Sequence, residues 1–387
     1  MRTDNSSEVE EAVRERYGAA ANAQEAALCC PVDYDPQFLK IIPNEVIERD
    51  YGCGDPSRYV REGDIVLDLG SGGGKICFIA SQIVGANGAV IGVDTTDDML
   101  KLARDNAPVI ADAVGYSNVT FHYGQIQDLG LDWDKLSGWL KSNPVSTHDG
   151  LKALDAEKDR LRAEEPMIPD NSVDVVVSNC VLNLVAAHEK AQLVSEIFRV
   201  LKPGGRIAIS DIVSDEIVPE HLMADANLWS GCISGAFHEL ELLTELQKIG
   251  FQGIKIDKWE SDPFAVVEGI EFRSVTVTAV KGEGVDCKEG MQAVIYKGPF
   301  SEVTDDDGHT LKRGERTAIC TRTYRLYASE AYAEHVVLIS PEDVAADADL
   351  PMFNCSTDGI RSARETKGAD YSATVEPGSS ESSGGCC

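Results

Sequence analysis

Apolar residues gather along this chain into short runs bounded by glycine, aspartate or asparagine: residues 65–69, 89–94, 119–123, 173–178 and 206–211. Runs of this length, rich in valine and isoleucine, predict buried strands. Between them lie stretches with helical spacing, up to about Val84, over 99–106, and from about His188 to Leu201. Lys202-Pro203-Gly204-Gly205 is expected to end the last helix, since proline cannot continue it and glycine favours its stop. Strand and helix in alternation predict an α/β fold, a parallel sheet with helices on both faces. Further strands are expected at 253–258 and 272–280.

The flanks read differently. Helical spacing around 13–17 and over 38–49 surrounds a loop with Cys29-Cys30-Pro31, and Tyr51-Gly52-Cys53-Gly54-Asp55-Pro56 carries the residues of a turn. Residues 131–166 form a charged, helically spaced insertion between the third and fourth strands. Past Gly282 the pattern becomes β-rich, with strands expected at 292–297 and 316–326 and a turn at Asp305-Asp306-Asp307-Gly308. From 365 the chain is rich in serine and glycine and ends Cys386-Cys387, a composition that predicts disorder. The expected organisation is a thiol-bearing lid segment at 1–60, the main α/β domain at 61–282, a small β-rich domain at 283–364 and a disordered tail at 365–387.

Charge narrows the partners. With 35 basic against 65 acidic residues the net charge is -30, which repels nucleic acid and anionic lipid. No apolar run reaches the ~18–20 residues that cross a bilayer, and the polar N-terminus has no secretory signal. The expected compartment is the cytoplasm. Eleven cysteines are many for such a chain, because disulfide scaffolds are usually short and secreted. Reduced thiols point instead to metalloid ligation, redox chemistry or burial. The seven histidines show no ligand spacing and there is no C-x-x-C, so no metal site is expected.

The first strand ends Asp68-Leu69-Gly70-Ser71-Gly72-Gly73-Gly74 and runs into a helix, which places a ligand at the carboxyl edge of the sheet. Glycines there allow a tight turn and close approach of the backbone. Asp94 ends the second strand, where a carboxylate can accept both hydroxyls of a ribose. The turn is not G-x-G-x-x-G, and it carries Asp68, suited to an ammonium group. The third strand leads to Ile126 and Gln127, an apolar and a polar residue for an adenine. The fourth ends at Asn179. These features, with Lys202-Pro203-Gly204-Gly205, resemble class I methyltransferases over about 60–280. The resemblance implies a Rossmann-like sheet and S-adenosylmethionine as methyl donor, held by Asp68, Gly70, Ser71, Gly72, Gly74, Asp94, Met99, Ile126, Gln127 and Asn179.

Three cysteines fall where such a fold holds its acceptor: Cys53 in the turn before the first strand, Cys180 directly after Asn179, and Cys232 in Leu228-Trp229-Ser230-Gly231-Cys232. A single cysteine is more often a small buried hydrophobe, and Cys77, one turn into a helix, reads that way. Tyr51-Gly52-Cys53-Gly54, Ser178-Asn179-Cys180-Val181-Leu182-Asn183-Leu184, the Cys232 segment and Ala293-Val294-Ile295-Tyr296-Lys297-Gly298 together resemble the arsenite methyltransferase family. That resemblance implies that Cys53, Cys180 and Cys232 bind As(III), free or as a thiol conjugate. It also implies that an N-terminal cysteine, Cys30 or its neighbour Cys29, joins catalysis as a redox thiol, with glutathione or thioredoxin as reductant. Tyr51 is placed to face the donor's sulfonium or to pack, and Cys386-Cys387 to capture arsenic or to be only a surface thiol pair. A monomer is the default. The rival readings are a methyltransferase for a small organic acceptor with structural cysteines, and a metalloid-binding protein without turnover.

Overall fold

A computed structural model describes residues 6–23, 25, 32–342, 345–355, 359–368 and 371–372. Cys29, Cys30, Cys386 and Cys387 lie outside them, as does most of 365–387. The chain divides into two compact units, Met1–Gly282 and Glu283–Cys387.

In the first unit the strands are β1 (Ile65–Leu69), β2 (Ala89–Asp94), β3 (Val119–Tyr123), β4 (Val173–Asn179), β5 (Leu201–Ser214), β6 (Phe237–His238), β7 (Phe251–Trp259), β8 (Ala265–Val267) and β9 (Ile270–Lys281). They form one sheet in the order β3-β2-β1-β4-β5-β9-β7, with β6 on β5 and β8 on β9. The first five are parallel, whereas β9 runs antiparallel to β5 and β7 antiparallel to β9. The order turns back at β1, which opens a crevice beyond the carboxyl ends of β1 and β4.

The helices of this unit are α1 (Ser6–Asn22), α2 (Pro36–Leu39), α3 (Asn44–Glu48), α4 (Lys75–Val84), α5 (Asp97–Val114), α6 (Trp133–Ser142), α7 (His148–Glu164), α8 (Lys190–Val200), α9 (Glu220–Met223), α10 (Ala226–Ser230) and α11 (Glu239–Ile249). Alternation along the strands feeds two cores. Leu67, Leu69 and Val176 pack with Leu193 and Ile197 of α8 and Leu242 and Leu246 of α11. Val66, Val175 and Val177 pack on the other face with Ile76 and Phe78 of α4 and Leu100 and Ile110 of α5. The residues of the 131–166 insertion fold largely into α6 and α7, closed over Leu131, Leu136 and Leu161. Among the described residues no helix is long and apolar enough to cross a membrane.

Three local expectations change. The helix expected over 38–49 is two short ones, because Pro43 lacks the N–H to continue the first and instead caps α3. Lys202-Pro203-Gly204-Gly205 lies within β5, where the pairing with β4 shifts register between Val173 and Val175. The strand expected over 316–326 stops at Ile319. There Cys320 caps a helix, its sulfur accepting from Thr323 N at 3.4 Å.

In the second unit β10 (Gln292–Tyr296) lies antiparallel between β13 (Arg316–Ile319) and β14 (Val336–Ile339), and β11 (Glu302–Thr304) pairs with β12 (Thr310–Lys312). Helices α12 (Thr321–Tyr327) and α13 (Glu330–Ala333) lie between β13 and β14 in the chain, and α14 (Ala363–Lys367) crosses the expected start of the tail. Val294, Tyr296, Ile319, Tyr327 and Val336 form its core.

Candidate active site

A cleft of about 380 Å3 opens at the carboxyl ends of β1, β2 and β4. Asp68, Gly70, Ser71, Gly72, Asp94, Met99, Ile126, Gln127 and Asn179 all line it. Gly74 does not; it caps α4 in a left-handed conformation, with its α-hydrogen face against Phe78 and Phe121.

The glycine turn is held by Asp94. One of its carboxylate oxygens accepts from Gly72 N at 2.9 Å and the other from Thr96 N at 2.8 Å. Gly72 meets that demand with φ +49°, a region that residues with a Cβ avoid. Burial raises the Asp94 pKa, and those backbone donors pull against the rise. Asp68 is buried more starkly. Its carboxylate accepts from the Cys77 thiol at 3.2 Å, and burial lifts its carboxyl to about 7, with Asp50 and Asp94 adding to the rise. Ser71 Oγ, also buried in this turn, has no hydrogen-bond partner among the described residues. A buried carboxylate without a cation and a buried hydroxyl without a partner are groups that a polar, positively charged ligand would satisfy. The donor set therefore fits S-adenosylmethionine, whose ammonium suits Asp68.

The thiols lie at the other end. Cys53, Cys180 and Cys232 come from segments far apart in sequence, yet sit in one buried cluster with Ile212, Val218, Leu222, Ile233 and Phe272. Cys53 and Cys180 are joined as a disulfide, with Cα atoms 5.9 Å apart. The Cys232 thiol donates to the Cys180 carbonyl at 3.0 Å. Cys180 lines the cleft itself, whereas Cys53 and Cys232 are buried beside it. Cys77 lies fully inside the α4 core, away from this cluster.

Asn179 brings Cys53 to its place. Its side-chain oxygen accepts from Cys53 N at 2.9 Å and from Gly54 N at 3.0 Å, while its amide nitrogen donates to Gly54 O at 2.8 Å and Tyr34 Oη at 3.2 Å. Asn179, expected among the residues that hold the donor, thus commits its side chain to clamping the cysteine turn. Gly52 makes room for it: a Cβ there would stand 1.9 Å from the Asn179 amide nitrogen. Tyr51 also lines the cleft. Its hydroxyl donates to Ala20 O at 3.0 Å and accepts from Glu25 N at 3.1 Å, so its polar end is anchored to the N-terminal segment.

That segment supplies what the sequence reading missed. Val13, Arg14 and Tyr17 of α1 line the cleft, and Arg16 ties α1 to α10 by donating to Asn227 O and Ser230 Oγ, each at 3.1 Å. The Tyr17 hydroxyl stands 3.7 Å from Cys232 Sγ, and burial raises its pKa well above the usual phenol value. In sequence α1 is an acidic helix without a clear apolar stripe, and only an isolated tyrosine hinted at this role. Among the described residues no lysine or histidine lines the cleft.

Comparison with known proteins agrees with this picture. A methyltransferase-domain family model matches residues 61–138 and 145–259, and a domain of unknown function, DUF8838, matches 283–371. The chain is 29% identical to an arsenite methyltransferase of Aquipseudomonas alcaligenes over 85% of its own length and 90% of the relative's. It is 30% identical to one of Homo sapiens, covering 78% of this chain and 74% of that one. Among solved structures, an arsenic(III) S-adenosylmethionine methyltransferase of Chlamydomonas reinhardtii is 27% identical with a TM-score of 0.54, covering 83% of this chain and all (100%) of that one.

Proposed function

We propose that this chain, which belongs to the arsenite methyltransferase family, methylates trivalent arsenic held by the thiolates of Cys53, Cys180 and Cys232. The observation that carries the reading is the gathering of three sequence-distant cysteines in one buried cluster beside a cleft suited to a cationic nucleoside. Methylation of arsenite by an S-adenosylmethionine-dependent enzyme is the activity of the family, and detoxification its usual role.

S-adenosylmethionine, when bound, supplies an electrophilic methyl group that As(III) takes with its lone pair. Asp68 holds the ammonium group, Asp94 the ribose hydroxyls, and Ile126 and Gln127 border the adenine. With Cys53 and Cys180 reduced, each ligating thiol gives its proton to a hydroxide leaving arsenic as water, so three S–As bonds form without a protein base. Soft sulfur selects a soft acceptor. Fixing the acceptor against the donor supplies up to ~7–11 kcal/mol of the barrier reduction. Methyl transfer leaves arsenic oxidised by two electrons. A thiol pair that closes to a disulfide returns them, and Cys30, with Cys29 next to it in sequence, is the candidate redox thiol. Glutathione or thioredoxin then reduces that disulfide. We place the reaction in the cytoplasm, in a monomer.

The deciding assay incubates labelled donor with arsenite and measures methylarsenicals. Cys53→Ser, Cys180→Ser and Cys232→Ser should each lower transfer by at least about 100-fold, with donor affinity preserved. Near-normal rates in all three, or transfer to an organic acceptor without arsenite, would leave the cysteines structural and overturn the reading.

A further inference from the structure

Among its described residues the second unit holds three cysteines outside any disulfide that the methyl-transfer chemistry does not use: Cys287, Cys320 and Cys355. Backbone pairing gathers them. Phe353 N donates to Cys287 O at 2.8 Å, Glu289 N to Pro351 O at 2.9 Å, and Lys288 bridges Met352 in antiparallel fashion. On the other side Thr321 N donates to Lys288 O at 3.0 Å. The segment 287–289 is thus held between the residues just before Cys355 and those just after Cys320. Burial, with the Cys355 and Cys320 thiols nearby, pushes the Cys287 thiol up to about 12. Cys320 is buried and held by Thr323, Cys287 is half-buried, and Cys355 is exposed, its sulfur 3.8 Å from Phe353 O.

We propose that Cys287, Cys320 and Cys355 form a second three-thiol site, in the C-terminal unit, that binds a trivalent thiophilic metalloid such as arsenite. Three sulfurs suffice for an ion that takes a trigonal pyramid and keeps a lone pair, whereas structural zinc takes four ligands. Arg322, close enough to Cys287 and Cys320 to feel their charge and paired with Asp307 at 2.6 Å, offsets the thiolates. His309 spends Nδ1 on Asp305 at 3.0 Å. Among the described residues no group of three or more His, Cys, Asp or Glu is already arranged to hold a metal ion. Closure therefore falls to the exposed Cys355, which turns in onto the pair fixed by strand and helix. On binding, three S–As bonds form, and three thiol protons leave with three displaced hydroxides as water. The choice of ion rests on the proposed function above; the convergence of the thiols does not.

The test uses the full chain with Cys29, Cys30, Cys386 and Cys387 changed to serine, and the cleft disabled by Cys180→Ser and Cys232→Ser. Arsenite bound per chain is counted by mass spectrometry, and its ligands by X-ray absorption. One arsenic with three sulfur neighbours is expected, and Cys355→Ser, a surface change that spares the fold, should weaken binding at least about tenfold and leave two sulfurs. In the wild-type chain Cys355→Ser should lower the stoichiometry by one, which keeps the test valid if the multiple variant misfolds. No arsenic in the cleft-disabled chain, indifference to Cys355→Ser, or zinc retained on these cysteines would overturn the proposal. Should wild-type chain fail to methylate arsenite yet bind it here, the function proposed above falls and this inference stands.

Discussion

At one end of the cleft, carboxylates are buried among backbone N–H groups; at the other, sulfur atoms are buried among aliphatic side chains. Asp94 is braced by Gly72 and Thr96, and Asp68 waits at a pKa of about 7 for a cation. The donor end is therefore built around charge that a ligand completes. At the thiol end Cys53, Cys180 and Cys232 sit with Ile212, Leu222 and Phe272, and among the described residues no lysine or histidine lines the cleft. Under the function proposed here, its selectivity would come from the softness of sulfur and from where the backbone puts it. Affinity for the donor should thus respond to pH and to carboxylate changes, and acceptor chemistry to changes in backbone placement.

The largest separation of the two ends is expected from Gly52→Ala. The added methyl collides with Asn179, displaces the Cys53 turn and should cut arsenite methylation by about 100-fold, the scale of a misplacement near 1 Å. Donor binding by calorimetry should stay within about threefold, since the loss lies in acceptor geometry. A matching collapse of donor binding would show that the two ends are not independent. Next, Asp94→Asn should weaken donor binding by about 30-fold, or ~2 kcal/mol, through the loss of charged hydrogen bonds, while the reactivity of Cys232 towards a thiol reagent stays unchanged.

A smaller effect follows from Asp68. Burial raises its pKa in the free protein to about 7, so it is largely protonated below that pH and charged above it. The ammonium of the donor needs the charged form, and donor affinity should fall by about fivefold as pH drops from 7 to 6. Asp68→Asn should bind weakly and flatten this profile; an unchanged slope would move the titration to another group. The least effect belongs to Cys77→Ala. It removes a buried thiol that only packs and donates to Asp68, at a stability cost of about 1 kcal/mol by thermal melting, with methylation within about threefold.

The sheet was legible because β1, β2 and β4 are short apolar runs that end in Asp68, Asp94 and Asn179, and an edge of polar residues on such strands has few uses other than a ligand crevice. Pro43 and the helix after Ile319 were not, since apolar spacing over a few residues does not separate helix from strand. Asn179 shows the deeper limit. Its position at a strand end was readable, but its four bonds to the Gly52–Gly54 turn and Tyr34 depend on chain brought back from more than a hundred residues away. The same holds for α1 beside Cys232, and for Cys287 beside Cys320 and Cys355, where cross-strand pairing, not local pattern, decides the neighbours.

Cys180 and Cys232 share a backbone feature, φ of +59° and +62°, in which a side chain with a Cβ costs about 1 kcal/mol or more relative to glycine. Glycine at either position would relieve that backbone strain but would empty a buried side-chain site, and at 180 it would also remove the partner of Cys53. Relaxing the backbone therefore discards the very sulfur that the strained conformation aims, so at these two residues strain and thiol placement cannot be separated.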